Sequence, residues 1–227
     1  MQVIEIYKSL QGESSQAGRP CVFVRLAGCN LRCAWCDTEY SFTGGHTMTS
    51  DEALAEVRRL ASPPELLELT GGEPMLQEGE AVPLMAQLIA AGYEVMLETS
   101  GERPLENVPP QVRKIVDVKC PGSGEGGRFR IGNLATLTKR DEVKFVLAGR
   151  EDYEFAREFI AAHGLADRGG EILLSPAFRK DAAGTRSADN CLLDPRLLAE
   201  WTLADGLPAR LSLQMHKFIW EPQVKGV

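Results

Sequence analysis

The chain has 227 residues, Lys+Arg 25 against Asp+Glu 32, a formal net charge of −7, 44% hydrophobic and 25% charged residues. That length suits a single domain over 1–227, large enough to bury a core without disulfides or metals, and the composition is that of an ordinary globular protein. The acidic balance argues against binding nucleic acid by phosphate neutralisation. No run nears the roughly 18 apolar residues of a membrane span, and Glu5 interrupts the stretch where an export signal would be apolar, so a cytoplasmic setting with reduced thiols is expected.

In chain order, residues 21–27 (CVFVRLA) read as a first strand, short, β-branched and followed by Gly28. Thr49 with Glu52 three residues on matches a capping box, and Leu54, Val57 and Leu60 then make one apolar helix face. A strand at 66–70 (LLELT) precedes an amphipathic segment between 80 and 92, where Val82, Leu84, Met85, Leu88 and Ile89 supply the pattern and Gly92 a left-handed stop. Strands are expected at 94–99, 114–119 and 142–147. Asp152 is expected to cap a helix over 153–163 that Gly164 ends, and Asp194–Pro195 to open another over 196–204. A strand at 172–175 lies between them, and 209–215 reads as the last.

Strand–helix alternation implies parallel β/α units. The expected α/β fold is a partial, incomplete β/α barrel of about six parallel strands, because a full eight-stranded barrel takes about 250 residues; an open doubly wound sheet is the alternative. Either way the functional loops follow the C-terminal strand ends. The pattern breaks agree: GCNLRCAWCDT, GGEP, SGE and CPGSGEGGR each follow a strand. The Gly-rich 122–127 stretch reads as a flexible loop.

Of six cysteines, Cys29, Cys33 and Cys36 fall within eight residues on one loop. Three soft ligands that close can share a metal ion or an iron–sulfur cluster. A structural zinc site would need a fourth ligand, for which His46 is the nearest candidate but has the wrong spacing. Cys21, Cys120 and Cys191 read as small buried or free thiols, and Met75, Met85 and Met96 as core. Arg25, between Val24 and Leu26, is costly to bury unpaired. By themselves Gln11-Gly12-Glu13 would be a surface turn, Thr38 a loop residue and His216 a hydrogen-bonded structural histidine.

The triplet Cys29-Asn-Leu-Arg-Cys33-Ala-Trp-Cys36, with an aromatic before the third cysteine, resembles the motif of the radical S-adenosylmethionine superfamily. Leu69-Thr70-Gly71-Gly72-Glu73-Pro74 is similar to that family's second motif. The resemblance implies three cysteines on a 4Fe–4S cluster whose open iron chelates S-adenosylmethionine. The flanks narrow it: Ser9-Leu10-Gln11-Gly12-Glu13, Arg25, Asp37-Thr38, 97–101 (LETSG), Asp117-Val118-Lys119 and Gln214-Met215-His216-Lys217 resemble the 7-carboxy-7-deazaguanine synthases over roughly 1–218.

For this chain the resemblance implies a lyase of queuosine and 7-deazapurine biosynthesis. It would convert 6-carboxy-5,6,7,8-tetrahydropterin to 7-carboxy-7-deazaguanine with release of ammonia, through a 5′-deoxyadenosyl radical and a Mg²⁺-dependent ring contraction. Cys29, Cys33 and Cys36 would hold the cluster and Thr38 the Mg²⁺. Leu10, Gln11, Gly12, Glu13, Arg25 and Thr70 would bind substrate, Arg25 through its carboxylate. Trp35, Cys36, Asp37, Gly72, Ser100, Lys119 and Ser175 would surround S-adenosylmethionine, and Glu98 and His216 would act at the substrate end. A homodimer and an electron donor such as flavodoxin are implied as partners, with neither nucleic acid nor membrane. A glycyl-radical activase shares the cysteine spacing but leaves Gln11–Glu13, Arg25 and Thr38 unexplained, and a zinc-stabilised binding module is the non-catalytic alternative. Phe218 to Val227 departs from the family's tail, and 191–193 has no counterpart in it.

Overall fold

A computed structural model describes residues 1–180, 187–221 and 224–226. The elements run β1 (Gln2–Leu10), β2 (Pro20–Leu26), β3 (His46–Thr47), α1 (Ser50–Leu60), β4 (Leu66–Gly71), α2 (Glu78–Ala90), β5 (Glu94–Thr99), β6 (Arg113–Asp117), β7 (Glu142–Leu147), α3 (Arg150–Ala162), α4 (Leu165–Arg168), β8 (Glu171–Pro176), α5 (Pro195–Ala204), β9 (Arg210–Leu211) and α6 (His216–Ile219). One nine-stranded sheet has the order β3-β1-β2-β4-β5-β6-β7-β8-β9. From β2 to β9 every pairing is parallel, while β1 pairs antiparallel with β2. The end strands β3 and β9 do not meet, so the β/α barrel is open.

The strand β1 has no counterpart among the expected elements, although Gln2–Tyr7 carries β-branched and aromatic residues. It is joined to β2 by a turn in which Gln11 N donates to Arg19 O at 2.8 Å and Gly18 N to Gln11 O at 2.8 Å. Residues expected as a lone flank are thus the rim of a hairpin. At the other end, 209–215 pairs only over Arg210–Leu211. Beyond it the chain leaves the sheet, and Met215 N donates to Gly12 O at 2.8 Å, crossing to that hairpin.

Period-two alternation sorts the sheet into two chemically different faces. Val22, Val24, Leu26, Leu67, Leu69, Val95, Leu97, Val116, Val143, Phe145, Leu147, Ile172 and Leu174 share a core with Ala53 and Val57 of α1, Leu84, Met85 and Leu88 of α2 and Tyr153, Ala156 and Ile160 of α3. The opposite face has its apolar cluster at the base, where Cys21, Phe23, Leu66, Met96 and Ile115 gather with Tyr7. Toward the C-terminal strand ends the same face carries Arg25, Glu68, Thr70, Glu98, Asp117 and Lys144. A helix-covered face and a polar bowl therefore follow from the strand sequences and their register.

The helices begin and end largely for the expected reasons. The Thr49–Glu52 capping box forms reciprocally, and Gly92 has φ +94° beyond α2. Asp194 accepts from Arg196 N at 2.8 Å with Pro195 in the first turn of α5. Asp152 is the exception. The helix α3 starts at Arg150, and Asp152 lies buried inside its first turn. Its carboxylate accepts from Ala148 N at 2.8 Å and from Gly122 N at 2.7 Å, so it ties the segment just before α3 to a distant loop. The 122–127 stretch, expected to be flexible, is correspondingly tied down, with Ser123 buried and its hydroxyl donating to Cys120 O at 2.6 Å.

Replacing Asp152 by Ala strands two backbone donors from a charged acceptor and should cost about 2–4 kcal/mol. A fall in the urea midpoint at constant slope measures it; a midpoint within error of wild type would contradict this account of the loop.

Candidate active site

The cysteine loop starts at Gly28, whose φ of +93° suits glycine and whose N–H donates to Ser41 O at 2.7 Å. Cys36 N donates to Cys33 O at 3.1 Å, and Ala34 N donates to Ser123 O at 2.9 Å, which fastens the loop to the one Asp152 holds. Arg32 lies over the Phe42 ring at 4.1 Å and donates to the Cys29 and Leu31 carbonyls. Cys29, Cys33 and Cys36 are half-buried free thiols lining one cavity of about 220 Å³.

Burial pushes the Cys33 thiol up to about 11, with Lys119 opposing and Asp117, Cys36 and Cys29 adding to the rise. Burial likewise raises Cys29. Cys29 and Cys33, whose ionisation is opposed by burial and by neighbouring sulfurs, call for a cationic partner, and iron is a soft one. No three His, Cys, Asp or Glu side chains among the described residues surround a single-ion point; a cluster takes each thiolate on its own iron. His46, the zinc candidate, is exposed on β3 and does not line the cavity. The donor set fits the cluster.

The turn after β4 abuts this loop. A Cβ on Gly72 would overlap the Gly28 carbonyl oxygen and the Cys29 side chain, so only glycine permits the approach. Glu73 is buried, and its carboxylate accepts from Met75 N, Thr99 Oγ1, Ser100 N and Ser100 Oγ at 2.6–3.0 Å. It thereby locks the ends of β4 and β5 together. Its role went unread in the sequence, where it passes as part of a turn.

At the opposite side of the bowl, Lys144 of β7 joins Glu13 at 2.7 Å and also pairs with Glu98. Burial alone would raise Glu13, but Lys144, His216 and the Gln214 amide hold it at about 2. Glu98 is raised because burial outweighs Lys144. Glu68 is raised further by burial and by Glu98, and it accepts from the Gln11 amide. Arg25 is not free for a ligand on every side: its Nε donates to Glu5 at 2.8 Å and a terminal nitrogen to Tyr7 OH at 3.0 Å, with Tyr40 OH on the same Glu5 oxygen.

The C-terminal segment closes the site. Gln214 donates to Glu13 Oε1 at 2.8 Å, and Lys217, 4% exposed, pairs with Asp37 at 2.6 Å. Lys217 also sits over the Phe178 ring at 5.2 Å, and Phe178 packs edge-on against Phe218 and bridges to Cys191. This gives Phe178, and the 191–193 segment that has no counterpart in the family, a buttressing place. Within the tail, 222, 223 and 227 lie outside the described residues. His216 packs so closely on Gly12 that a Cβ there would overlap its ring.

Leu10, Gln11, Gly12, Glu13, Arg25, Cys29, Cys33, Trp35, Cys36, Asp37, Thr38, Thr70, Gly72, Glu98, Ser100, Lys119 and His216 all line the one cavity. Ser175 does not line it; it is buried at the end of β8 with its Oγ lacking a partner among the described residues. Asp37 and Ser100 have protein partners of their own, Lys217 and Glu73. Tyr7, Glu68 and Lys144 line the cavity without having been singled out in the sequence. Period-two spacing from recognised residues, as from Thr70 back to Glu68, is the signal that would have found the glutamate.

Residues 24–121 match the Radical SAM superfamily, enzymes that use a 4Fe–4S cluster with S-adenosylmethionine. A 7-carboxy-7-deazaguanine synthase of Koribacter versatilis (strain Ellin345) is 64% identical over 227 residues, covering 100% of each chain. One of Chlorobaculum tepidum is 41% identical over 230 residues, covering 100% of this chain and 97% of its own. The crystal structure of QueE from Escherichia coli aligns with a TM-score of 0.74 at 26% identity, over 95% of this chain and 94% of that one. The chain belongs to the 7-carboxy-7-deazaguanine synthase family. The activase and zinc-module readings fall away.

Burial lowers the His216 pKa, Lys217 and Lys144 add to the fall, and Glu13 and Asp37 oppose it. Folding thus favours the neutral ring, and this contribution is lost as pH falls below the ordinary value near 6.5. A ring-proton NMR titration should give a midpoint below that value, whereas a midpoint above it would show that the carboxylates dominate.

Proposed function

We propose that this chain converts 6-carboxy-5,6,7,8-tetrahydropterin to 7-carboxy-7-deazaguanine with release of ammonia, working as one domain at the cavity between the cysteine loop and the β1–β2 hairpin. The observation that carries the reading is the meeting of the cysteine loop, the Gly72 turn and the Gln11–Glu13, Arg25 and Thr70 set on one cavity, in a chain 64% identical to a synthase of that name.

Cys29, Cys33 and Cys36 would hold the cluster, which with S-adenosylmethionine would supply the radical chemistry at the substrate. Gly72 allows backbone approach to the cofactor. Trp35, Asp37, Ser100 and Lys119 complete its surroundings. Thr38 offers a hydroxyl to Mg²⁺, a hard ion content with few protein oxygens and several waters.

Substrate lies toward the hairpin. Leu10, Gln11, Gly12, Glu13 and Thr70 face it, and the part of the Arg25 fork not used by Glu5 and Tyr7 takes its carboxylate. Loss of ammonia needs a proton on the departing nitrogen. Glu98, the ion-pair partner of Lys144 whose affinity for protons burial raises, is suited to collect a proton and hand it on to that nitrogen. Neutral His216 presents one donor and one acceptor nitrogen and can return or receive a proton nearby. The working form is taken to be a homodimer reduced by a flavodoxin-like donor.

Reduced, reconstituted protein incubated with S-adenosylmethionine and the carboxytetrahydropterin should form 7-carboxy-7-deazaguanine. Formation of 5′-deoxyadenosine without that product would overturn the substrate assignment. Cys33→Ala should abolish both the iron–sulfur absorbance and turnover. Arg25→Ala should weaken substrate binding by about 2–4 kcal/mol, read as a rise in KM, since it removes one partner of a desolvated charge pair. A sedimentation mass of one chain, 24.8 kDa, at working concentration would exclude the dimer.

A further inference from the structure

Lys144 rises from β7 into the floor of the cavity with its side chain only 3% exposed. An ammonium has three donors and no acceptor. Here they meet carboxylates from three other parts of the chain: Glu13 of the hairpin turn at 2.7 Å, Glu98 of β5, and Asp117 of β6 at 3.8 Å. Lys119 takes the Asp117 carboxylate from its other side at 2.7 Å. Glu68 of β4 and His216 of α6 complete the ionisable groups facing this floor. Lys144 has little left to offer a ligand, so its effect must pass through the carboxylates it holds.

Glu68 serves as an internal control. It shares the floor, but among the described residues no cation comes within ion-pair distance of it; it accepts from the Gln11 amide, and burial and Glu98 push its proton affinity well up against the weaker pull of Lys144. Glu13, somewhat less enclosed and paired directly with Lys144, is held at about 2 and stays ionised. Like charges gathered in a low-dielectric pocket drive one another to protonate unless a cation intervenes. Without Lys144, Glu13 would share Glu68's condition, and Glu98, raised by burial even beside the cation, would rise further.

We infer that Lys144 is a positioning residue that keeps Glu13 and Glu98 together as a hydrogen-bond-accepting pair for the N–H-rich 2-amino-pyrimidinone edge of the tetrahydropterin, and so selects that edge over a 2-oxo analogue. This rests on the function proposed above. An acceptor pair rewards a ring that presents donors and repels one that presents a carbonyl in their place, because buried acceptors facing each other are left unpaired. The cation also fixes both carboxylates to β7, which orients the ring relative to the cysteine loop across the cavity.

The test compares wild type with Lys144→Met, Lys144→Arg and, as a buried-cation control on the helix-covered face, Lys114→Met, whose partner is Asp141 at 3.0 Å. Lys144→Met should raise KM for the carboxytetrahydropterin roughly 10- to 100-fold, as loss of charge-assisted hydrogen bonds predicts. It should also move the acid limb of kcat/KM to higher pH than in wild type, and narrow the preference over the 2-oxo analogue. Lys144→Arg should keep the wild-type limb. Lys114→Met should affect stability alone. An unchanged KM and pH profile in Lys144→Met, or the same change in Lys114→Met, overturns the inference, as does a limb moved to higher pH in Lys144→Arg if the Met variant fails to fold.

Infrared difference titration of the neutral carboxyl stretch separates this inference from the reaction assignment. Lys144→Met should gain a protonated carboxyl at neutral pH beyond the Glu68 signal it shares with wild type and Lys144→Arg, and no gain overturns the electrostatic role. A wild-type protein that makes no deazaguanine yet shows that gain would refute the substrate reading while leaving the hold of Lys144 on its carboxylates intact.

Discussion

Five charged side chains of the bowl, Arg25, Glu68, Glu98, Asp117 and Lys144, sit on strands of a sheet whose other face is a hydrocarbon core, and that constraint governs the rest of the molecule. In β2, β4, β5, β6 and β7 the residues adjoining Arg25, Glu68, Glu98, Asp117 and Lys144 are Val24, Leu69, Leu97, Val116 and Phe145, all packed under helices. Slipping any strand by one residue would exchange the rows, burying a charge among α1, α2 and α3 and exposing a hydrophobe to the cavity. Parallel register then sets Arg25 beside Thr70 and Asp117 beside Lys144. Core packing and site geometry are thus one requirement with two consequences.

Pairing makes that arrangement tolerable. An isolated buried ion costs several kcal/mol, and removing one partner leaves the other stranded. The floor answers with two lysines shared among several carboxylates and with one carboxyl, Glu68, that is held toward its neutral form. Arg25 is handled alike by Glu5, Tyr7 and Tyr40. Neighbouring groups in the same bowl consequently differ widely in proton affinity, the condition under which carboxyl groups can take different chemical roles.

Closure depends on residues from opposite ends of the chain. Gln214 reaches Glu13 across 201 positions, Met215 N finds Gly12 O, and Lys217 pairs with Asp37 immediately after the third cysteine. The substrate side and the cysteine loop are joined through this short C-terminal segment. On the other flank Asp152 holds Gly122, and Ser123 holds Ala34. The cysteine loop is therefore braced from two sides by long-range hydrogen bonds, as a site that must hold its geometry requires.

Much of this was legible beforehand, because the signals are local. Seven strand positions, the Thr49 and Asp194 caps, the Gly92 stop and the cysteine spacing all depend on neighbours a few residues away. Motif order then brought nearly all the expected site residues to one cavity. What escaped depends on distance. The strand β1 is defined by its partner β2, Asp152 by a loop 30 residues away, and Glu73 by Thr99 and Ser100. Lys144, inside an apolar strand, carries no local mark, since only the folded sheet brings Glu13 from 131 positions away to meet it. The sequence by itself determined the class of chemistry, through residue types at short spacing. The tertiary structure decided which charges face one another, because their energies are set by through-space distance and burial, which no local pattern encodes.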